Sequence, residues 1–419
     1  MHYPYISRLN VYRPNKDAEV VILDASGSRQ MGLAVIKWKK PVKIHKTFRR
    51  NYKLMKVNCS SSRLLSALVL STLLLSACGT ESANNVIAPI QQPTADPAPI
   101  ETIQPSPTAD PSAELVSGLT GLPVFENSLP RPLAVMINNA PAARPQSGVS
   151  EADILYEVLA EGGITRLIGI FQSHTGVVKI GPIRSIRPYL IDIGESYGGV
   201  TVHAGGSPAA YAILQKEKKA DMDEIGRAGA YFWRDKTRKA PHNLYSNAAK
   251  LREGAEKLGY EKSVKVPGYL FNNPDYISAG GEPAAEFSVN FLLKSYKIDY
   301  KYDTQLQTYQ RYVNGKPHLD LNNNKPVEAA NVMVMGSDHK VLDDVGRLQV
   351  DVELGGEALL FQRGQVTKGR WSREPGDVIR FVKDGKEELM YPGITHILVV
   401  PNAPSFSSHV VYGGADSAT

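Results

Sequence analysis

Between Cys78 and Gly118 the chain cannot build a core. This stretch includes Pro93, Pro97, Pro99, Pro105, Pro107 and Pro111, with Gln, Thr, Ser and Ala between them. It also carries the near-repeat Pro93-Thr94-Ala95-Asp96-Pro97 and Pro107-Thr108-Ala109-Asp110-Pro111. Such a composition buries too little apolar surface to offset chain entropy, so residues 78–118 read as a disordered linker. In polyproline form it advances about 3.1 Å per residue, a reach on the order of 100 Å. The chain is thereby cut into a leader before the linker and a folded body that begins near residue 119.

The leader carries the basic charge. Of the formal +6, residues 1–54 contribute +9, with twelve Lys and Arg against three Asp and Glu. Lys56 and Arg63 add +2, which leaves −5 from residue 78 onward. A body of that sign is a poor surface for a phosphate backbone, so no nucleic-acid partner is expected. From Met55 an export signal is complete: Lys56 and Arg63 are its positive region, and Leu64–Leu75 is its apolar core. The apolar run falls short of the roughly 20 residues that span a bilayer. It ends in Leu75-Ser76-Ala77-Cys78, which resembles the lipobox of bacterial lipoproteins. That resemblance implies diacylglyceration of the Cys78 sulfur and a membrane anchor of two acyl chains, enough for stable attachment. Residues 1–54 then read as an extension from a start assigned too early, and 55–77 as a lipoprotein signal peptide. Cys59 and Cys78 are the two cysteines, so the body has no disulfide framework and no Cys-ligated metal site.

The expected fold is α+β, with a mixed α/β domain over 119–275, a mostly antiparallel β domain over 280–411, and a tail at 412–419. In the first domain Pro132–Asn138, Asp153–Ala160, Ile164–Gln172 and Val200–His203 read as strands. Tyr189–Tyr197, the stretch from Pro208 to about Lys218, and Ser246–Leu258 read as helices. Gly162-Gly163 signals a two-residue hairpin loop. In that register Leu159 opposes Arg166, and Glu157, Leu159, Glu161 and Arg166 share one face. A carboxylate in a buried strand needs a partner, so Glu157–Arg166 is expected as an ion pair or as part of a binding site. In the second domain short alternating segments alternate with turns such as Asn314-Gly315 and Asp384-Gly385. Arg311, His318, Asp320, Arg370 and Trp371 are its candidate surface residues.

Chemistry-bearing residues concentrate between Arg144 and Asn243. Arg184, Ser185 and Arg187 stand just before the helix opened by Pro188, a position suited to an anion. Gly205-Gly206-Ser207-Pro208 joins a strand to a helix and resembles a phosphate loop only loosely; no Walker or dinucleotide pattern is present. His203 and His242 lie in loops of the same block, which allows a general base with Glu157 or Asp153 as acid. No histidine has metal-ligand spacing, no Gly-x-Ser-x-Gly elbow occurs, and neither metal nor cofactor is expected.

The combination of Arg144-Pro145-Gln146-Ser147-Gly148, Gly162-Gly163-Ile164-Thr165-Arg166, Gly181-Pro182-Ile183-Arg184-Ser185-Ile186-Arg187 and Pro241-His242-Asn243 resembles the YerB-like lipoprotein family. A looser match continues through His318 with Asp320, Gly369-Arg370-Trp371 and Tyr391-Pro392-Gly393. The resemblance implies a membrane-anchored extracytoplasmic protein of Gram-positive-type bacteria with two domains of unknown function. It brings no reaction and no catalytic residues. The function expected is non-enzymatic binding of an anionic cell-wall polymer or envelope protein. The binding set is Arg144, Glu157, Arg166, Arg184, Ser185, Arg187, Ser207, Arg234, His242 and Asn243. The alternatives are a wall hydrolase or transferase using His242 or His203 with Glu157 or Asp153, and a structural envelope tether.

Overall fold

The computed structural model describes residues 20–21, 33–34, 115–124, 128–261, 264–276 and 280–413. The export signal, Cys78 and most of the linker lie outside them. The described residues from 115 onward belong to one compact unit.

Apolar runs become strands where the pattern places them. β1 (Leu133–Asn138), β2 (Ile154–Leu159) and β3 (Thr165–Phe171) are buried along their whole lengths. That is the pattern of strands covered on both faces. α1 (Pro188–Ser196) opens on a proline, whose missing N–H costs nothing in a first turn. β4 (Val200–His203) leads into α2 (Pro208–Lys216), whose first turn is capped by the Ser207 hydroxyl accepting from Ala210 N at 3.2 Å. β5 (Asp221–Asp223) follows, then α3 (Ala248–Lys257), capped by Asn247 Oδ1 accepting from Lys250 N at 2.8 Å.

The remaining named strands are β6 (Glu286–Asn290), β7 (Lys297–Asp303), β8 (Thr308–Val313), β9 (Asn331–Ser337) and β10 (Gly356–Gln362). After them come β11 (Gln365–Ser372), β12 (Arg380–Lys383), β13 (Thr395–Pro401) and β14 (Val410–Tyr412). The described chain is thus largely β, and its three α-helices all fall between residues 188 and 257. Among the described residues no helix is long and apolar enough to cross a membrane.

One long sheet runs β12-β11-β10-β9-β13-β2-β3-β1-β4-β5. β13, from near the C-terminus, lies between β9 and β2 and is parallel to both. Residues 119–275 and 280–411 therefore contribute strands to a single sheet. β9, β13, β2, β1, β4 and β5 all point the same way, with β3 reversed among them. A second, antiparallel sheet holds β8, β7, β6 and β14. Alternation along β1 feeds two cores: Leu133, Val135 and Ile137 join Leu251 of α3, while Ala134 and Met136 join Leu190 and Ile193 of α1.

Two expectations are corrected. The β2–β3 connection is not a two-residue loop. Ala160–Ile164 forms a five-residue turn, with Gly162 and Gly163 at positive φ and Ala160 N donating to Ile164 O at 2.7 Å. Leu159 therefore opposes Thr165, Val158 opposes Arg166 and Glu157 opposes Leu167. A one-residue shift reverses every side chain, so Glu157 and Arg166 point to opposite faces and form no pair. In the second half, Arg311, His318, Asp320 and Trp371 are buried rather than on the surface. Arg370 is exposed as expected.

Candidate functional site

Glu157 is 2% exposed and Arg311 1% exposed, and the two meet at 2.6 Å between Oε2 and Nη2. Glu157 Oε1 also accepts from the hydroxyls of Thr165 and Tyr296, both at 2.6 Å, and from Asn139 Nδ2 at 3.0 Å. Arg311 Nε donates to His318 Nδ1 at 3.1 Å. That fixes the His318 proton on Nε2, which donates to Gln146 Oε1 at 2.8 Å. Gln146 Nε2 donates to Asn139 Oδ1 at 2.9 Å, and Asn139 returns to Glu157. The five side chains close a ring. Burial, then Arg311 and Arg144, push the His318 pKa well below the ordinary histidine value, so the ring is neutral apart from its one ion pair.

The same contact locks two motifs together. Asp320, fully buried, accepts from Gly148 N at 2.9 Å and Ser150 N at 2.8 Å. Leu321 N donates to Gln146 O at 2.9 Å. Gln146-Ser147-Gly148 and the His318/Asp320 pair are therefore two sides of one joint. The sequence signal for the joint was the carboxylate in an apolar strand. Its partner lies 154 positions away on another sheet, which no local periodicity indicates.

A different arrangement stands at the carboxyl ends of the parallel strands. Arg166, the second residue of β3, is 8% exposed; its Nε and Nη1 have no hydrogen-bond partner among the described residues. Burial, then Arg187, lower its pKa to about 10. Arg184 is half-buried; burial, Arg187 and Arg234 lower its pKa in turn. Ile183 bridges Ile137 and Arg184 N donates to Met136 O at 2.8 Å, so Arg184 falls on the same sheet face as Met136 and Asn138, with Arg166 opposite Asn138. Arg187 donates to Glu161 and to Ile186 O. Burial would raise the Glu161 pKa, but its hydrogen bond and charge attraction with Arg187 outweigh that and lower it. Three guanidinium groups thus share one carboxylate.

Arg184 and Ser185 line a cavity of about 440 Å³ together with Gly205, Gly206, Tyr211 and Arg234. Arg234 is already held, by Glu224 at 3.1 Å and by Asn243 Oδ1 at 3.3 Å. Ser207 lies beside this cavity and its hydroxyl is committed to the α2 cap. His242 Nδ1 accepts from Asn138 Nδ2 at 2.8 Å. Burial and the charges of Arg184 and Arg238 lower the His242 pKa.

The other residues of the set are elsewhere. His203 is fully buried, its Nδ1 3.0 Å from Gly205 O, while Asp223 accepts from Gly205 N and the Tyr211 hydroxyl. Asp153 lies at the opposite end of β2, accepting from Gln172 N at 2.5 Å and Ser173 N at 3.0 Å. Burial raises its pKa. The Arg144 guanidinium lies over the Tyr296 ring, 4.7 Å from its centroid. The structure therefore brings Arg166, Arg184, Ser185, Arg187, Arg234, His242 and Asn243 toward one end of the sheet. It does not bring Glu157 or Asp153 to His242. Among the described residues no cluster of three His, Cys, Asp or Glu is placed to hold a metal ion.

Residues 119–261 match the family described as "Protein of unknown function (DUF3048) N-terminal domain", and residues 287–397 match its C-terminal domain. The chain is 35% identical over 299 residues to YerB of Bacillus subtilis (strain 168), a provisionally named lipoprotein; the match covers 71% of this chain and 90% of that one. The crystal structure of the YerB protein from Bacillus subtilis superimposes with a TM-score of 0.65 at 34% identity, covering 71% of this chain and 100% of that one.

Proposed function

Because the chain belongs to the DUF3048 family of YerB-like proteins, we propose that it is a lipoprotein anchored through Cys78 to the extracytoplasmic face of the cell membrane, where it binds an anionic envelope component without transforming it. The binding groups are Arg166, Arg184 and Arg187, on an α/β half formed by residues 119–275. The observation that carries this reading is Arg166, a guanidinium 8% exposed with Nε and Nη1 unpartnered among the described residues. A buried charge that shares its counter-ion with two other cations is costly, and a ligand anion reduces that cost. Two neighbouring arginines raise the local potential further, and Glu161 neutralises only part of it.

A catalytic reading has less support. His242 is paired to an amide, and the carboxylates proposed as its partner are engaged in other contacts. The test is capture of wall and envelope fragments by the full chain and by its Arg184→Ala/Arg187→Ala variant. Capture is expected to fall at least tenfold in the variant. Equal recovery by the two proteins removes the reading.

A further inference from the structure

We propose that the arginine cluster is the head-group end of a longer site, and that the site takes an amphiphile with a phosphate-monoester head and a hydrocarbon tail. The inference rests on the anion-binding reading and goes further by naming the ligand class.

Immediately beyond Arg187 the surface changes character. A groove of about 470 Å³ opens at Pro188 and Tyr189 in the first turn of α1 and runs past Leu342, Leu348, Val350 and Leu354. That volume is within the range of small-molecule sites. Tyr189 belongs to both regions: it lines the groove, and its hydroxyl donates to Leu159 O at 2.8 Å beside Arg166. The groove's far wall is the hairpin of His339–Val341 and Leu348–Val350. The hairpin tip reaches the Glu161 turn, since a Cβ on Gly346 would stand 3.7 Å from Gly162 N. Leu342 is 53% exposed and Leu354 84% exposed. Two leucines presented to solvent along one groove are apolar surface that awaits a cover.

Charge sets the orientation. Asp192, Asp351 and Glu353 line the groove as well. Asp192 lies four positions beyond Pro188, about 6 Å further along the α1 axis. An anionic head is therefore repelled from that end and drawn to the arginines. A polymer with anions at every repeat would need cations along the whole track. Past Arg187 the groove is lined by carbon and three carboxylates. The arginine behind them, Arg373, is spent on Asp192 O at 2.9 Å and Val352 O at 3.3 Å and does not line the groove. That lining selects a single anion followed by a tail.

The test measures binding of decyl phosphate below its micelle concentration to the full chain by calorimetry, beside inorganic phosphate and the uncharged decyl maltoside. Decyl phosphate is expected to bind at least tenfold tighter than inorganic phosphate, since burying about two methylenes suffices for that gain. Leu342→Ser/Leu354→Ser alters two exposed side chains and leaves the fold intact. It is expected to reduce decyl phosphate to the affinity of inorganic phosphate and to leave the latter unchanged. Arg184→Gln is expected to weaken both phosphates. Equal affinities for the two phosphates, or decyl phosphate binding indifferent to the leucine variant, overturn the amphiphile and leave anion binding standing. Decyl maltoside binding as tightly as decyl phosphate also overturns it. No binding of either phosphate overturns both readings.

Discussion

The protein has two places where arginine meets glutamate, and they are opposites. Around Glu157 each donor has an acceptor, and the ring through Arg311, His318, Gln146 and Asn139 closes on itself. Around Glu161 three arginines share one carboxylate, and Arg166 keeps two nitrogens without a hydrogen-bond partner among the described residues. The first arrangement is complete and cannot accept a ligand. The second is incomplete in charge and hydrogen bonding, which is what a binding site requires before its ligand arrives. Asn138 and Asn139 are adjacent at the end of β1, yet Asn138 serves His242 and Asn139 serves Glu157. The boundary between joint and site passes between neighbouring residues.

Removing one arginine from each place separates them most sharply. Arg311→Met leaves Glu157 as a buried, unpaired charge. It is expected to lose about 3–5 kcal/mol of stability, measured by urea unfolding. Arg184→Ala removes a half-buried cation among like charges and is expected to change stability by less than about 0.5 kcal/mol. A similar loss from both would erase the distinction.

Protonation sharpens it next. His318 in the ring and His396, whose Nδ1 lies 2.9 Å from the Tyr300 hydroxyl, are both driven well below the ordinary histidine pKa, chiefly by burial. The folded state keeps them neutral, while the unfolded chain protonates them below about pH 6.5. The unfolded state then binds more protons, so stability falls as pH drops below that value. The slope approaches about 1.4 kcal/mol per pH unit for each histidine. Unfolding at pH 7.5 and 5.5 checks this, and His396→Gln is expected to flatten the slope. By proton NMR His242 at the open site is expected to titrate reversibly somewhat below the usual range, with no titration of His318 before unfolding.

The smallest effect concerns Ser207. Its hydroxyl caps α2, so Ser207→Ala is expected to cost about 1 kcal/mol, read as a lower urea midpoint. Anion binding is expected to stay within twofold of the parent protein. A larger loss of binding would move Ser207 from the cap into the site.

Much of the fold was legible because burial and periodicity are local. Val200–His203 reads as a strand from four residues, and Ser207-Pro208 announces the start of a helix by cap chemistry. The placing of Arg184 and Arg187 together was also legible, since both stand just before a proline that opens a helix. The hairpin register was not. Gly162-Gly163 is compatible with both a two-residue and a five-residue loop, and the choice flips Arg166 to the other face.

What the sequence determined by itself is that Glu157, set in an apolar strand, must have a cation. Desolvation makes that demand wherever the partner comes from. Which cation was settled only by β13 inserting beside β2 and bringing the second sheet over that face, so that Arg311 rather than Arg166 answers it. Arg166, turned to the opposite face, shares Glu161 with Arg184 and Arg187. The closed joint is thus a property of strand order, set by contacts between residues more than a hundred positions apart, whereas the face taken by Arg166 is set by the local register of the β2–β3 turn.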